Sequence, residues 1–176
     1  VNITPDSKTK FCMKKLIFSI LFLFIAFSSH AQDIFSAART NNVTELKTLI
    51  ANKTDVNQTN QRGFTALILA IYNNNSEAAK FLIDNGANIN AQDLSGNNAF
   101  MGAIFKGYPE MVKLLVDHKA NVNQVNFNGA SSLTFAATFG KVDLVQLLLK
   151  AGADKSLKDK NGKTALDHAT LQENKE

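Results

Sequence analysis

The sequence predicts an all-α solenoid in which short helix-turn-helix units stack one upon the next. Four glycines recur at intervals of 33 residues: Gly63, Gly96, Gly129 and Gly162. An alanine follows each of them after seven residues, and four leucines keep the same period: Leu49, Leu82, Leu115 and Leu148. A fixed period of this length is typical of repeat proteins whose units bury apolar faces only against neighbouring units. The predicted units span about 33–62, 63–95, 96–128, 129–161 and 162–176.

Each unit is predicted to contain a first helix close to its glycine. Side chains suited to cap a helix N-terminus stand two residues after the glycines: Thr65, Asn98, Ser131 and Thr164. Thr164 with Asp167 resembles a capping box, with Asp in place of the usual Glu or Gln. Apolar residues follow at i, i+3 spacing, on one helix face: Leu67/Ala70, Phe100/Ala103, Leu133/Ala136 and Leu166/Ala169. The helix should end at residue types that tolerate a left-handed backbone: Asn41, Asn74, Gly107 and Gly140.

A second helix is predicted in the first four units. Glu77, Glu110 and Asp143 place an acid near the positive end of the helix dipole, and Pro109 stands at a helix start that tolerates proline. The apolar face consists of Leu46/Leu49/Ile50, Ala79/Leu82/Ile83, Val112/Leu115/Val116 and Val145/Leu148/Leu149. Gly86 and Gly152 close two of these helices, whereas Lys53 and Lys119 occupy the same place in the other two. A left-handed lysine costs on the order of 1 kcal/mol. The loops that follow are rich in Asn and Asp, a turn composition.

Residues 1–31 are interpreted as an N-terminal extension and a signal peptide rather than as part of the repeat domain, 32–176. Lys14 and Lys15 precede an apolar run at 16–27, and Ser29 and Ala31 fit the small-residue positions of a cleavage site. This run of twelve residues, interrupted only by Ser19, would make about 18 Å of helix, short of the roughly 30 Å needed to cross a bilayer. Met13 stands where such a signal begins, so the signal is placed at about 13–31 and residues 1–12 upstream of the true start.

The signal is similar to bacterial general-secretory signals, which implies a periplasmic or secreted protein with no membrane span in the mature chain. Cys12 precedes the apolar run and is the chain's only cysteine, so the mature chain would hold no disulfide. The formal net charge of +4 is misleading as a nucleic-acid signal. Without residues 1–31 the chain has 15 basic and 14 acidic residues, which does not support a nucleic-acid partner.

No motif in the sequence predicts catalysis, a metal site or a cofactor. There is no Gly-rich phosphate loop, His/Cys cluster or nucleophile elbow. His118 is interpreted as a solvated loop residue and His168 as a surface residue of the last helix, where adjacent Asp167 cannot face it. The Asn/Asp-rich loops lack the ligand spacing of a calcium loop. An enzyme or small-ligand receptor is the disfavoured class.

Three stretches of the chain resemble the ankyrin repeat family. They are residues 63–67 (Gly-Phe-Thr-Ala-Leu), 82–90 (Leu-Ile-Asp-Asn-Gly-Ala-Asn-Ile-Asn) and 147–154 (Leu-Leu-Leu-Lys-Ala-Gly-Ala-Asp). The resemblance covers residues 33–172 and implies stacked helix pairs joined by projecting hairpin-like loops, with a concave groove. The chain departs from the family's Thr-Pro-Leu-His pattern, since residues 65–68, 98–101, 131–134 and 164–167 contain neither the proline nor the histidine. Asp33–Gln61 resembles an N-terminal cap, and the last unit could offer a polar outer face through Asp167, His168, Gln172, Glu173 and Lys175.

In such an architecture the hairpin tips and the far ends of the first helices line the groove. The register positions give these candidate partner-binding residues: Arg62, Phe64, Tyr72, Phe105, Lys106, Phe127 and Phe139. Aromatic residues and arginine are enriched at protein–protein interfaces. Tyr72 and Phe105 are one period apart, so they are expected on adjacent units about 10 Å from each other, as packed helices are. The alternative is a core role, with Phe64 stapling its hairpin and Phe105 packing between units.

The sequence therefore predicts an exported, non-enzymatic module that binds an unidentified protein through its groove. The alternative within the same class is an accessory or immunity-type protein that protects or assists one exported enzyme or toxin. Both expectations rest largely on the family resemblance, because a fold does not determine a function.

Overall fold

Nine α-helices follow one another in the part of the chain that the structure, a computed structural model, describes, residues 33–173. In chain order they are α1 (Ile34–Arg39), α2 (Val43–Ala51), α3 (Ala66–Tyr72), α4 (Ser76–Asp84), α5 (Ala99–Lys106), α6 (Pro109–Asp117), α7 (Ser132–Thr138), α8 (Val142–Lys150) and α9 (Ala165–Glu173). Two isolated antiparallel bridges, Gln92 with Asn98 and Val125 with Ser131, mark the hairpin-like loops. The predicted all-α solenoid is confirmed, whereas the predicted signal peptide and Lys175 lie outside the described residues.

The predicted helix boundaries are confirmed by their hydrogen bonds. Side-chain oxygens of Thr65, Asn98 and Ser131 accept from the backbone N–H three residues later. At α9, Thr164 N–H donates to Asp167 Oδ2 over 2.7 Å and Asp167 N–H donates back to the Thr164 hydroxyl, which completes the capping box. The residues that end the first helices are left-handed as predicted: Asn41, Asn74, Gly107 and Gly140. Lys53 and Lys119 are left-handed as well, with φ of +64° and +61°.

A continuous apolar layer lies between the helices of successive units. The odd-numbered helices α1, α3, α5, α7 and α9 pack on one another in order, and each even-numbered helix packs beside its partner. Four alanines one period apart are fully buried at these helix contacts: Ala37, Ala70, Ala103 and Ala136. The small side chain lets neighbouring helices approach closely while Leu67, Phe100 and Leu133 fill the space beside it.

The last unit breaks this pattern at Leu166. This residue is one period after buried Leu133, yet 74% of it is exposed. The expectation that it shares the buried face is wrong, because no helix in residues 33–173 packs on the far side of α9. Ala165 carries the burial of α9 instead.

The loops are joined across units by a ladder of asparagines one period apart. Oδ1 of Asn57, Asn90 and Asn123 each accepts from the backbone N–H of the residue 31 positions later, at 2.6–2.7 Å. Nδ2 of Asn57 and Asn123 donates to the glycine carbonyl that ends the next unit's second helix, Gly86 and Gly152 respectively. Each unit thereby satisfies backbone groups of its neighbour that a turn would otherwise leave to solvent.

The hairpin tips have their own periodic acceptor. Oδ1 of Asn60, Asp93, Asn126 and Asp159 accepts two backbone N–H groups, from the residues two and four positions later. Successive tips are also bonded to one another, as in the 3.1 Å bond from Phe127 N–H to the carbonyl of Ser95. The stack is therefore held by apolar burial at the helices and by hydrogen bonds at the loops. None of the described helices has the length and apolar character of a membrane span.

We predict that Gly96→Ala destabilises the protein more than Gly86→Ala. Both glycines are left-handed, with φ of +77° and +87°. At Gly86 an added methyl group meets no atom within 4 Å, so only the backbone cost of about 1–2 kcal/mol is expected. At Gly96 the methyl carbon would lie 2.5 Å from the backbone nitrogen of Phe127, so the neighbouring hairpin must also move. Urea unfolding of both variants measures the difference, and equal losses would contradict tight stacking of the hairpins.

Candidate partner-binding groove

The face formed by the odd-numbered helices and the hairpin tips carries a concave groove of about 690 Å³. Its lining comes from four successive units, and α3 and α5 contribute most of the helical residues in it. Its lining consists of Arg39, Asn60, Gln61, Arg62, Phe64, Ile68, Leu69, Tyr72, Asn73, Asp93, Asn97, Asn98, Met101, Gly102, Phe105 and Phe135. Four of the seven predicted site residues are in this set: Arg62, Phe64, Tyr72 and Phe105.

An exposed row of aromatic rings runs along one side of the groove. The rings of Tyr72 and Phe105 are stacked with their centroids 6.5 Å apart, and Phe139 meets Phe105 edge-on at 5.3 Å. The exposed fractions are 40% for Tyr72, 51% for Phe105 and 42% for Phe139. The rings are closer than the separation of about 10 Å expected for equivalent positions on packed helices. The core role considered for Phe105 does not fit its exposure.

Arg62 and Phe64 belong to one hairpin tip. Asn60 Oδ1 accepts from both of their backbone N–H groups, at 2.9 and 3.1 Å, and thereby fixes the turn. The Arg62 side chain is exposed, whereas Phe64 is half-buried against the core. Phe64 therefore both staples its hairpin and presents an edge to the groove.

The other two predicted residues differ in position. Lys106 lies beside the aromatic row, with Nζ 5.1 Å from the centroid of the Tyr72 ring, within the range of a cation–π contact. Phe127 does not line the groove. Its ring lies over Gly96 at the hairpin edge, so its 58% exposure belongs to a different part of the surface. That Phe127 contacts a partner stays a prediction, now placed at the hairpin edge beside Gly96 rather than in the groove lining.

Two of the groove residues outside the predicted set, Arg39 and Gly102, continue the repeat register. Arg39 stands one period before Tyr72, so the row begins with a cation at α1. Gly102 stands one period after Leu69 and one before Phe135, so it is the small member of a row of large side chains. Both could have been found by extending the 33-residue register to every position of the first helix.

Gly102 is also exceptional among the nine glycines. The other eight have positive φ, which favours glycine, whereas Gly102 lies in the interior of α5. Glycine inside a helix is less stable than alanine by roughly 0.5–1 kcal/mol. A methyl group at this position would meet only the Tyr72 ring, at 3.5 Å. The missing side chain opens a notch in the groove floor between the levels of Leu69 and Phe135.

Charge is distributed unevenly between the two helix layers. Among the odd-numbered helices, α1, α3, α5 and α7 contain two charged residues, Arg39 and Lys106, both cationic, whereas the last one, α9, contains the acids Asp167 and Glu173. The even-numbered helices contain six acidic and four basic residues. One carboxylate lines the groove, that of Asp93, and its Oδ1 is occupied by the N–H groups of Ser95 and Asn97 at 2.8 and 2.9 Å. No carboxylate among residues 33–171 pairs with the groove's cations within 4.0 Å.

His168 lies in a polar cluster at the last unit, away from the groove. Its Nε2 is 2.8 Å from Asp159 Oδ2, and the side chains are 21% and 8% exposed, so His168 is not a simple surface residue. The hydrogen bond from Lys163 N–H and the bond to His168 lower the pKa of Asp159 below 3.8. His118 caps α6, with Nδ1 2.9 Å from the carbonyl of Leu114, rather than lying free in a loop. Within residues 33–171, no three His, Cys, Asp or Glu residues are grouped to hold a metal ion.

The comparison with protein families gives one match. The family model for ankyrin repeats, which holds three copies of the repeat, matches residues 34–126 and 100–176. The two matches overlap and together extend over the whole stack of nine helices. No curated protein matches the chain.

We predict that acid loosens the C-terminal end of the stack before the central units. The pKa values of Asp154, Asp159 and Asp167 are all lowered by hydrogen bonds in the folded chain. Their contribution to stability is therefore complete above the ordinary pKa of about 3.8 and is lost as the pH falls through the lower folded values. Amide NMR signals of α9 should weaken below about pH 3.8 while those of α5 persist. In Asp159→Asn the α9 signals should depend less on pH, and an unchanged profile would contradict a role for Asp159.

Proposed function

The chain belongs to the ankyrin repeat family, whose members are generally protein–protein interaction modules, and from this premise we propose that it binds a protein partner through its groove. The observation that supports the proposal is the exposed row of Tyr72, Phe105 and Phe139, which lies beside a concave surface rather than in the core. Monomeric proteins rarely leave contiguous large apolar groups exposed without a use. Such rings are also the residues that most often dominate binding energy at interfaces.

Binding alone, without catalysis, is the activity we propose. Ankyrin repeat proteins are typically non-enzymatic scaffolds. The groove's one carboxylate, that of Asp93, accepts hydrogen bonds from backbone N–H groups. This arrangement does not favour a role for Asp93 as a catalytic base. An accessory or immunity-type role would use the same surface with a single dedicated partner.

We further propose that the protein acts outside the cytoplasm of a bacterium, in the periplasm or the medium. The support is the sequence of residues 13–31 alone, with two lysines, an apolar run and the small residues Ser29 and Ala31. An exported location would restrict the partner to proteins of the same compartment.

One prediction of this proposal concerns the aromatic row. Tyr72→Ala combined with Phe105→Ala should lower affinity for the native partner by at least about 100-fold, because each buried anchor is worth about 2 kcal/mol or more. Circular dichroism should stay helical, since both rings are largely exposed in the free protein. The measurement is co-purification of partner proteins from an extract of the native cell, compared side by side for the wild type and the variant.

The matched control is Val142→Ala combined with Leu149→Ala. These residues are also exposed, at 65% and 39%, but belong to the even-numbered helix α8. This variant should retain the partner. Loss of the partner from the control and not from the groove variant would place binding on the other helix layer and contradict the proposal.

Another prediction of this proposal concerns export. The protein recovered from a Gram-negative host should be periplasmic, with Gln32 at its N-terminus, because Ser29 and Ala31 fit signal peptidase. Fractionation followed by N-terminal sequencing measures this. A cytoplasmic product that begins at Val1 or Met13 would contradict export and leave the groove proposal standing.

A further inference from the structure

We propose that the groove recognises an acidic peptide segment that inserts one large apolar side chain into the notch above Gly102. This inference rests on the proposed function, since it names the chemistry of the partner segment for the same groove. The acidic residues of the segment would flank the inserted side chain and meet Arg39, Arg62 and Lys106.

The notch supplies a place for a single anchor. Leu69 and Phe135 carry large side chains at the same register position on the units before and after Gly102. The floor at this level therefore lacks one side chain, and Tyr72 is the nearest group to the empty position. The aromatic residues of the groove lining, Tyr72, Phe105 and Phe135, favour an aliphatic or aromatic side chain there. Anchors of this kind at the centre of an interface carry most of its affinity.

The cations around the notch select the charge of the segment. Arg39 and Arg62 are exposed and line the groove, and Lys106 is exposed beside Tyr72. Among residues 33–171 no carboxylate lies within ion-pair distance of them, and Asp93 is turned to its own hairpin. A segment with Asp or Glu on either side of its anchor supplies the missing anions, whereas a basic segment would be repelled.

The test starts from a random library of 12-residue peptides selected on the immobilised protein. We expect the selected peptides to be enriched in Asp and Glu next to a large apolar residue. Their affinity should fall at least about tenfold in Gly102→Leu, because the new side chain fills the notch. Arg62→Gln combined with Lys106→Gln should lower the affinity about threefold or more and flatten its salt dependence.

Three controls separate binding from folding. The neighbouring units carry leucine and phenylalanine at the position of Gly102, so Gly102→Leu is compatible with the helix and should not lower the melting temperature. If it does, Gly102→Ala should still weaken binding while it raises the melting temperature, because alanine favours the helix. Lys113→Leu adds the same side chain on α6, away from the groove, and should bind as the wild type does.

The outcomes distinguish this inference from the proposed function. The inference would be overturned by selected peptides that are basic or uncharged, or that bind Gly102→Leu as tightly as the wild type. If those peptides still lose binding to the double variant Tyr72→Ala with Phe105→Ala, groove binding itself remains supported. Selected peptides that bind the aromatic double variant as tightly as the wild type would overturn both. A selection that enriches no peptide would also count against both.

Discussion

The stacking of one helix pair on the next is the interaction on which every other feature depends. A single pair has apolar residues on two sides and cannot bury both by itself, so each unit is stable only between neighbours. The buried alanines fix how closely the first helices approach, and the hairpins must keep the same spacing. Positive-φ glycines such as Gly96 meet that demand, because a side chain there would push against the next hairpin.

The hydrogen-bonding side chains of the loops recur with the same 33-residue period as the buried alanines. The family pattern places a histidine in the first helix, which this chain lacks, and the asparagines of the loops connect its units instead. Asn57 and Asn123 use both ends of the side-chain amide, an acceptor and a donor, whereas an ionised carboxylate in the same place would provide acceptors alone. Apolar burial thus supplies attraction between the units, and the amide ladder specifies their register.

The units share one backbone structure, so the chemical differences along the groove come from side chains that differ between equivalent positions. The row Arg39, Tyr72, Phe105 and Thr138 changes from a cation through aromatic rings to a hydroxyl along equivalent positions. The row Leu69, Gly102 and Phe135 changes in volume and so gives the groove its depth. The fully buried alanines recur unchanged in every unit, so the stack is preserved while these positions vary. Leu69 and Phe135 contribute to the core as well as to the groove, whereas Tyr72 and Phe105 are exposed.

The sequence by itself determined the fold of residues 33–173, since the period, the caps, the left-handed positions and the buried alanines are all local or repeated signals. It also determined that Tyr72 and Phe105 belong to one face, because positions one period apart must coincide in a stack. Only the tertiary structure decided where the rings lie. Phe127 lies over Gly96 and Leu166 is exposed, because each depends on what the adjacent unit offers or lacks rather than on its own register position. The partnership of His168 with Asp159 likewise needed the hairpin and α9 to meet, a contact between residues nine apart that no helical or repeat period specifies.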